Sequence, residues 1–322
     1  MINSFCINNT HVSRILRTGA RLNVHTFALV APNIETEFRL SSEDNNRITY
    51  LDMVIADAVY SVYQTQATLF SEGILLRVLS GDEKQTCRKE TKEKIASSLK
   101  KMANIEFTLN CSEEVEARKI DECDFSEEHT EPFLILETLN SGKYRTTNPL
   151  LYRYADEVNK QLISVPHKLW CLDHKKPVND SLENIALKHY LLHRLAVANH
   201  NYDNKSFANL NRIYYYYLSH KKREEGESPY TGMLFDLGIV SAWEKENGKL
   251  YDKYGKDIHS MRLELSRLKH HVHGKTRKIL DALVEIGYIE GYSFIKEGKE
   301  IIGIQIKGKA KSYEDFRDTL DE

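Results

Sequence analysis

Between residues 51 and 63 the apolar positions Leu51, Val54, Ile55, Ala58, Val59 and Val62 recur at spacings of three and four, the period of one helix face. With Asp52 near its start, an amphipathic helix is expected there. Ser71 as an N-cap and Gly81 as a terminator bracket a second helix over 71–79. A third is expected over 88–102, with Ile95, Leu99 and Met102 on one face and lysines on the other. The pattern then turns β-like, which predicts strands at 105–109, 115–120 and 133–139. Pro149 opens a short helical stretch over 150–158, and 161–165 reads as a strand. Ser181 caps a long helix reaching Ala198, with Leu182, Ile185, Ala186, Leu191, Leu192 and Leu195 as its apolar residues. Helices are also expected over 209–218 and 231–239, with surface loops at 226–229 and 248–255. A hairpin follows from 288–296 and 301–307, turning at Glu297, Gly298 and Lys299. The first 46 residues carry no strong period and read as an arm of uncertain structure.

Three helices followed by a β-hairpin is the order of a winged helix, in which the third helix enters a DNA groove and the hairpin flanks it. An internal repeat strengthens that reading. The segments 94–106 and 278–290 align without a gap: Lys94 with Lys278, Ile95 with Ile279, Leu99 with Leu283, Met102 with Ile286, Ile105 with Ile289 and Glu106 with Glu290. Each copy stands where a basic helix hands its apolar face to the next strand.

The formal net charge of −2 conceals opposed patches. Residues 84–101 hold seven basic residues against two acidic, and residues 261–278 hold six against one, with His270, His271 and His273 among them. Two separate basic helices are the footprint of a nucleic-acid binder. Residues 113–131 are the reverse, nine acidic residues against two basic, and read as a solvated wing or insertion. Gly274 is expected to break or start a helix, placing Lys275, Thr276, Arg277 and Lys278 in a first turn beside His273. In the first copy Arg88, Lys89, Lys92 and Lys94 are the comparable group, and Lys296 and Lys299 mark the tip of the second wing. These residues are the expected DNA contacts. Arg277→Glu with Lys278→Glu is expected to abolish specific binding, and Lys92→Glu to weaken it less.

Apolar residues make up 41% of the chain and charged residues 29%, the balance of a soluble globular protein. No uncharged apolar run approaches the roughly 18 residues needed to cross a bilayer, so a cytoplasmic chain without a membrane partner is expected. Cys6, Cys87, Cys111, Cys123 and Cys171 are odd in number and never form a C-x-x-C pair, which predicts reduced thiols. The stretch from Gly291 to Lys299 lacks the spacing of a phosphate-binding loop, and the histidines lack matching Cys or carboxylate partners. No catalytic residue, metal or cofactor is expected. Tyr214 to Tyr217 raise one enzymatic alternative, DNA nicking through a phosphotyrosine.

The segments Leu51-Asp52 through Ala58-Val59-Tyr60-Ser61, Lys94-Ile95 through Ile105, and Asn148-Pro149-Leu150-Leu151-Tyr152-Arg153-Tyr154-Ala155 carry a family likeness. It continues through Leu187-Lys188-His189-Tyr190-Leu191-Leu192-His193-Arg194, Lys278-Ile279-Leu280 and Ile302-Gly303-Ile304-Gln305-Ile306. Over residues 47–308 the chain resembles the replication initiators of plasmids and phages, the Rep proteins of theta-type replicons. The resemblance implies an α+β, mostly helical fold of two winged-helix domains in tandem. It also implies binding of repeated double-stranded DNA sites at an origin without catalysis, homodimerisation at the protein's own promoter and recruitment of host replication proteins. The expected layout is an arm (1–46), a first winged helix with the acidic insertion (47–172), a second (173–309) and a tail (310–322). A winged-helix transcriptional regulator is the alternative.

Overall fold

The computed structural model describes residues 2–19, 22–43, 47–121, 124–172, 181–200, 211–218, 230–239, 256–308 and 311. The expected loops at 226–229 and 248–255, Cys123 and nearly all of the expected tail lie outside the described residues. The fold is mixed α/β, and the chain divides into two compact units, Met1–Cys171 and Leu172–Glu322.

The centre of the first unit is helix α2 (Tyr50–Tyr63). Thr49 and Asp52 form a capping box at its start: each side chain accepts the other's backbone N–H, at 3.3 and 2.7 Å. The periodicity expected a helix with one apolar face, yet Asp57, Tyr60 and Ser61 on its other side are buried as well. Their cover comes from the amino-terminal residues. Strand β1 (Ser4–Asn8) pairs antiparallel with a strand near the end of the unit (Leu162–Pro166), and helix α1 (His11–Arg17) follows it. Phe5 and Ile7 are 0% exposed, and the Phe5 ring stacks on Trp170 with 3.8 Å between centroids. The described residues here are therefore not an arm: 4–17 close the core over α2 and 25–41 add two strands to a sheet, through pairings too distant in sequence to leave a local period.

Strands β2 (His25–Ala31) and β3 (Ile34–Ser41) form a hairpin that continues into β5 (Glu106–Asn110) and β6 (His129–Pro132), in the order β2-β3-β5-β6. A second sheet joins β4 (Leu69–Phe70), β7 (Leu136–Thr138) and β8 (Tyr144–Thr146) in the order β4-β8-β7. Helices α3 (Glu72–Ser80) and α4 (Lys89–Ala103) lie between β4 and β5 in the chain. Both follow the sequence pattern, and α3 ends as expected at Gly81 with φ +75°.

One expected strand is a helix. Residues 115–120 do not pair with 105–109, and Ser112–Arg118 forms α5. Glutamates in its first turn favour the helix, and so does the i,i+4 pair of Glu114 with Arg118 (2.8 Å). Glu114 is buried and satisfied on every side: Thr36 Oγ1, Tyr154 Oη and Asn159 Nδ2 donate to it at 3.1, 2.6 and 2.7 Å. Glu131 pairs with Arg153. Part of the acidic run is thus internal structure rather than a solvated surface. The unit closes with α6 (Leu150–Tyr154), β9 (Leu162–Pro166) and α7 (His167–Cys171).

The second unit begins with α8 (Leu182–His200), whose Ser181 Oγ accepts from Asn184 N at 3.2 Å as the N-cap pattern anticipated. The expected helix over 209–218 is instead β10 (Arg212–Tyr214) and β11 (Tyr217–Leu218), since Ile213 and the tyrosines favour a pleated, half-buried surface. Strand β12 (Tyr230–Thr231) pairs with β11, and of the expected helix over 231–239 only α9 (Met233–Asp236) forms. Helix α10 (Lys256–Glu285) leads into β13 (Gly291–Glu297) and β14 (Glu300–Lys307). The sheet order is β10-β14-β13. A Cβ on Gly303 would sit 2.8 Å from the Ile213 carbonyl oxygen, so at the Tyr214–Gly303 pair the two backbones approach too closely for a side chain. Gly303→Ala is expected to destabilise the protein by about 2 kcal/mol, read as a lower urea midpoint.

Cys111 and Cys171 are buried, Cys6 and Cys87 half-buried, and all four are free thiols. Among the described residues no helix is long and apolar enough to cross a membrane.

Candidate nucleic-acid interface

Helix α10 runs through Gly274 without a break. The reason is packing. Leu265, Lys269, Val272, Thr276, Ile279 and Leu283 are all buried at alternating spacings of four and three, so one inner stripe continues across the glycine. That burial outweighs the roughly 1 kcal/mol by which glycine disfavours a helix interior. Lys275 to Lys278 therefore occupy the middle of a helix, not its first turn.

The opposite face is a ridge of exposed residues: Arg267, His270, His271, Gly274, Arg277, Lys278 and Asp281. Lys275 flanks it, half-buried. The β13–β14 hairpin turns at Gly298 (φ +60°) and Lys299, and Lys296 and Lys299 are exposed at its tip. Among the described residues, Lys275, Arg277, Lys278, Lys296 and Lys299 form no ion pair with a carboxylate. Tyr292 Oη donates to Asp281 Oδ1 at 2.6 Å. Burial and that carboxylate push the Tyr292 phenol up, while Arg277 beside it works the other way.

Of the expected contacts, Thr276 belongs to the interior and His273 is turned toward the sheet. Thr276 is 0% exposed, and its hydroxyl donates to the Val272 carbonyl at 3.0 Å, so it is withdrawn from the DNA-facing set. His273 is half-buried, with Nδ1 2.8 Å from Tyr215 Oη and its ring against Phe294. Burial lowers its pKa, and the neighbouring Arg277 adds to the effect.

The tyrosine run serves the same junction. Tyr215 is buried, and that burial raises its phenol far above the ordinary value, the reverse of an activated nucleophile. Tyr216 Oη donates to Glu300 Oε1 at 2.7 Å, and the buried Lys269 ammonium approaches the same oxygen at 2.6 Å. Lys269, counted as surface charge in the sequence, thus anchors the wing strand to the helix. Glu300 sits below its ordinary pKa: burial would raise it, but hydrogen bonds from Lys269 and Tyr216 prevail. The unfolded chain then takes up the proton first on acidification, so this contribution is lost as the pH falls through the carboxylate range. Glu300→Ala is expected to cost about 2 kcal/mol by leaving a buried ammonium alone, and Lys269→Met in the same chain to restore most of it, measured by urea denaturation.

The first unit's basic helix is more engaged. Lys94 pairs with Glu90 at 3.0 Å, Lys89 approaches Glu93 at 3.9 Å, and Lys92 faces the buried Glu72 at 3.9 Å. Glu72 also accepts from Tyr144 Oη at 2.9 Å, a lysine–glutamate–tyrosine group like the one in unit 2. Lys101 pairs with Asp52. Arg88 is exposed at the N-cap of α4. The sequence reading missed the extent of the unit 2 ridge towards Arg267, which was visible as the same three-and-four spacing counted backwards from Arg277. Among the described residues, no group of three or more His, Cys, Asp or Glu side chains comes together to hold a metal.

No protein-family model and no curated protein matches the chain. Among solved structures, the crystal structure of selenomethionine derivatives of domains 2 and 3 of RctB aligns over 91% of this chain and 95% of that one, with 11% sequence identity and a TM-score of 0.32. A likeness at that level carries no argument about function.

Proposed function

We propose that this protein binds specific double-stranded DNA through two winged-helix domains and acts as a replication initiator of a plasmid or phage-like replicon. The observation that carries the DNA-binding reading is the exposed α10 ridge with Arg277 and Lys278, together with the exposed cations Lys296 and Lys299 at the hairpin tip, these four forming no ion pair among the described residues. A winged helix sets its third helix against a three-stranded sheet whose first strand pairs with the last. What supports this reading is that each unit has a short strand between its first and second helices that pairs with the later of two hairpin strands: β4, between α2 and α3, in the order β4-β8-β7, and β10, between α8 and α9, in the order β10-β14-β13. In the first unit, β5, α5 and β6 are inserted between the third helix and the wing.

Because Lys89, Lys92 and Lys94 face carboxylates, while Lys275, Arg277, Lys278, Lys296 and Lys299 form no ion pair among the described residues, unit 2 is assigned the principal contact. The initiator role rests on the sequence resemblance over residues 47–308 together with this duplicated order; a homodimer and host replication proteins are the partners it implies. No catalysis is included. The test is to capture fragments of the source DNA with the purified protein at roughly 150 mM salt, where non-specific binding is weak, and to sequence what is retained. Directly repeated sites beside the protein's own gene are expected. A single promoter palindrome would favour a regulator, and no enrichment would overturn DNA recognition.

A further inference from the structure

We infer that Gly274 is the point of closest approach between helix α10 and DNA, where the absent side chain lets a sugar–phosphate backbone lie against the helix itself; this rests on the DNA-binding reading above. A glycine in a helix interior is disfavoured relative to alanine, so its presence needs a reason. The fold supplies none. A Cβ built on Gly274 meets no atom outside its own helix within 4 Å, and its φ is not positive. Gly19, Gly142, Gly287 and Gly298 are equally open but adopt positive φ, while Gly73 and Gly291, also without a close neighbour or positive φ, lie in the first turn of α3 and at the start of β13 and not in an element interior. At Gly81, Gly232 and Gly303 a side chain would collide with neighbouring atoms. Gly274 has neither constraint.

Its surroundings point outward to the ligand. His270 and His271 stand one turn before it on the exposed face and Arg277 and Lys278 one turn after, so the gap lies in the middle of a row of nitrogen donors. Long cationic side chains on both sides can reach phosphates while the glycine admits the backbone between them. A second copy of this chain is a poorer occupant, because a two-fold contact centred here would bring the cations of both copies together.

The experiment uses the full chain with Gly274→Ala and Gly274→Leu, measuring Tm, oligomeric state and affinity for a captured DNA site. Gly274→Ala is expected to raise Tm, by helix propensity, and to weaken binding about tenfold. Gly274→Leu is expected to weaken it roughly a hundredfold, with an unchanged salt slope because no charge is removed. Wild-type affinity in both variants would overturn the inference while leaving DNA binding intact, provided Arg277→Glu with Lys278→Glu still abolishes it. A lower Tm for Gly274→Ala would overturn it by showing that the fold demands glycine. So would an altered oligomeric state at unchanged affinity, which would assign the gap to a protein contact. If the wild-type chain binds no duplex, the DNA reading fails and the inference falls with it.

Discussion

Arg277→Glu combined with Lys278→Glu is expected to abolish site-specific DNA binding while leaving the fold intact. Both side chains are exposed on the α10 ridge, and Arg277 touches only the surface Tyr292–Asp281 pair, so reversing them should change Tm little. Each replacement removes a cation that would neutralise a phosphate and sets a carboxylate in its place. With about 0.9 counterion released per contact, losing two lowers the slope of log affinity against log salt by about 2. The repulsion of two new carboxylates adds to that loss, and the combined effect should exceed a hundredfold, measured by fluorescence anisotropy across a salt series. Lys92→Glu, which the sequence suggested as the milder comparison, is a poor control: it would set a second carboxylate against the buried Glu72 and disturb the first unit. Lys89→Glu, exposed and only 3.9 Å from Glu93 at its closest, is the better one and should weaken binding severalfold at most.

The second large effect concerns stability. Asp57→Ala is expected to destabilise the first unit by about 3–5 kcal/mol, because it strands a buried guanidinium. Arg17 Nη2 lies 2.9 Å from Asp57 Oδ2, and both side chains are almost wholly shielded from water. Asp57 Oδ1 also accepts from Asn8 N at 3.0 Å and from Tyr152 Oη at 2.7 Å. One carboxylate thus ties β1 and α1 to α2 and α6. Removing it leaves a charge, a backbone N–H and a hydroxyl without their acceptor, each of which costs free energy in a dry interior. Asp57→Leu with Arg17→Met should recover most of the loss, since it removes both charges and fills similar volume. Urea denaturation followed by far-ultraviolet circular dichroism gives the comparison. Equal stability of Asp57→Ala and the wild type would mean that this network does not hold the amino-terminal residues in place.

What was legible in the sequence divides along physical lines. Helices α2, α3, α4 and α8 and the β13–β14 hairpin were readable because each carries its own period and its own caps or turn residues. The repeat was readable because the same positions face inward twice: Ile95, Leu99 and Ile105 in one unit, Ile279, Leu283 and Ile289 in the other. The amino-terminal strands were not, since β1 finds its partner near residue 165 and three-and-four counting cannot see such a pairing. The segment from Val115 mixed branched and acidic residues, and helix electrostatics with a buried Glu114 decided its form.

The candidate interface shows the same division at the level of single residues. Charge and type located Arg277, Lys278, Lys296 and Lys299 on exposed surface. They could not separate Thr276, which turns inward, or Lys269, which is 5% exposed and holds Glu300. Gly274 was misread as a helix terminus because glycine ends helices where packing is absent, and here an uninterrupted inner stripe carries the helix past it.

The most direct test of the central claim, that the α10 ridge and the hairpin tip lie on DNA, is lysine-reactivity footprinting with and without a captured DNA site, read residue by residue by mass spectrometry. Lys275, Lys278, Lys296 and Lys299 should be protected in the complex while Lys89 changes little. Protection of Lys89, Lys92 and Lys94 with Lys278 and Lys299 as reactive as in the free protein would contradict the account and move the contact to the first unit.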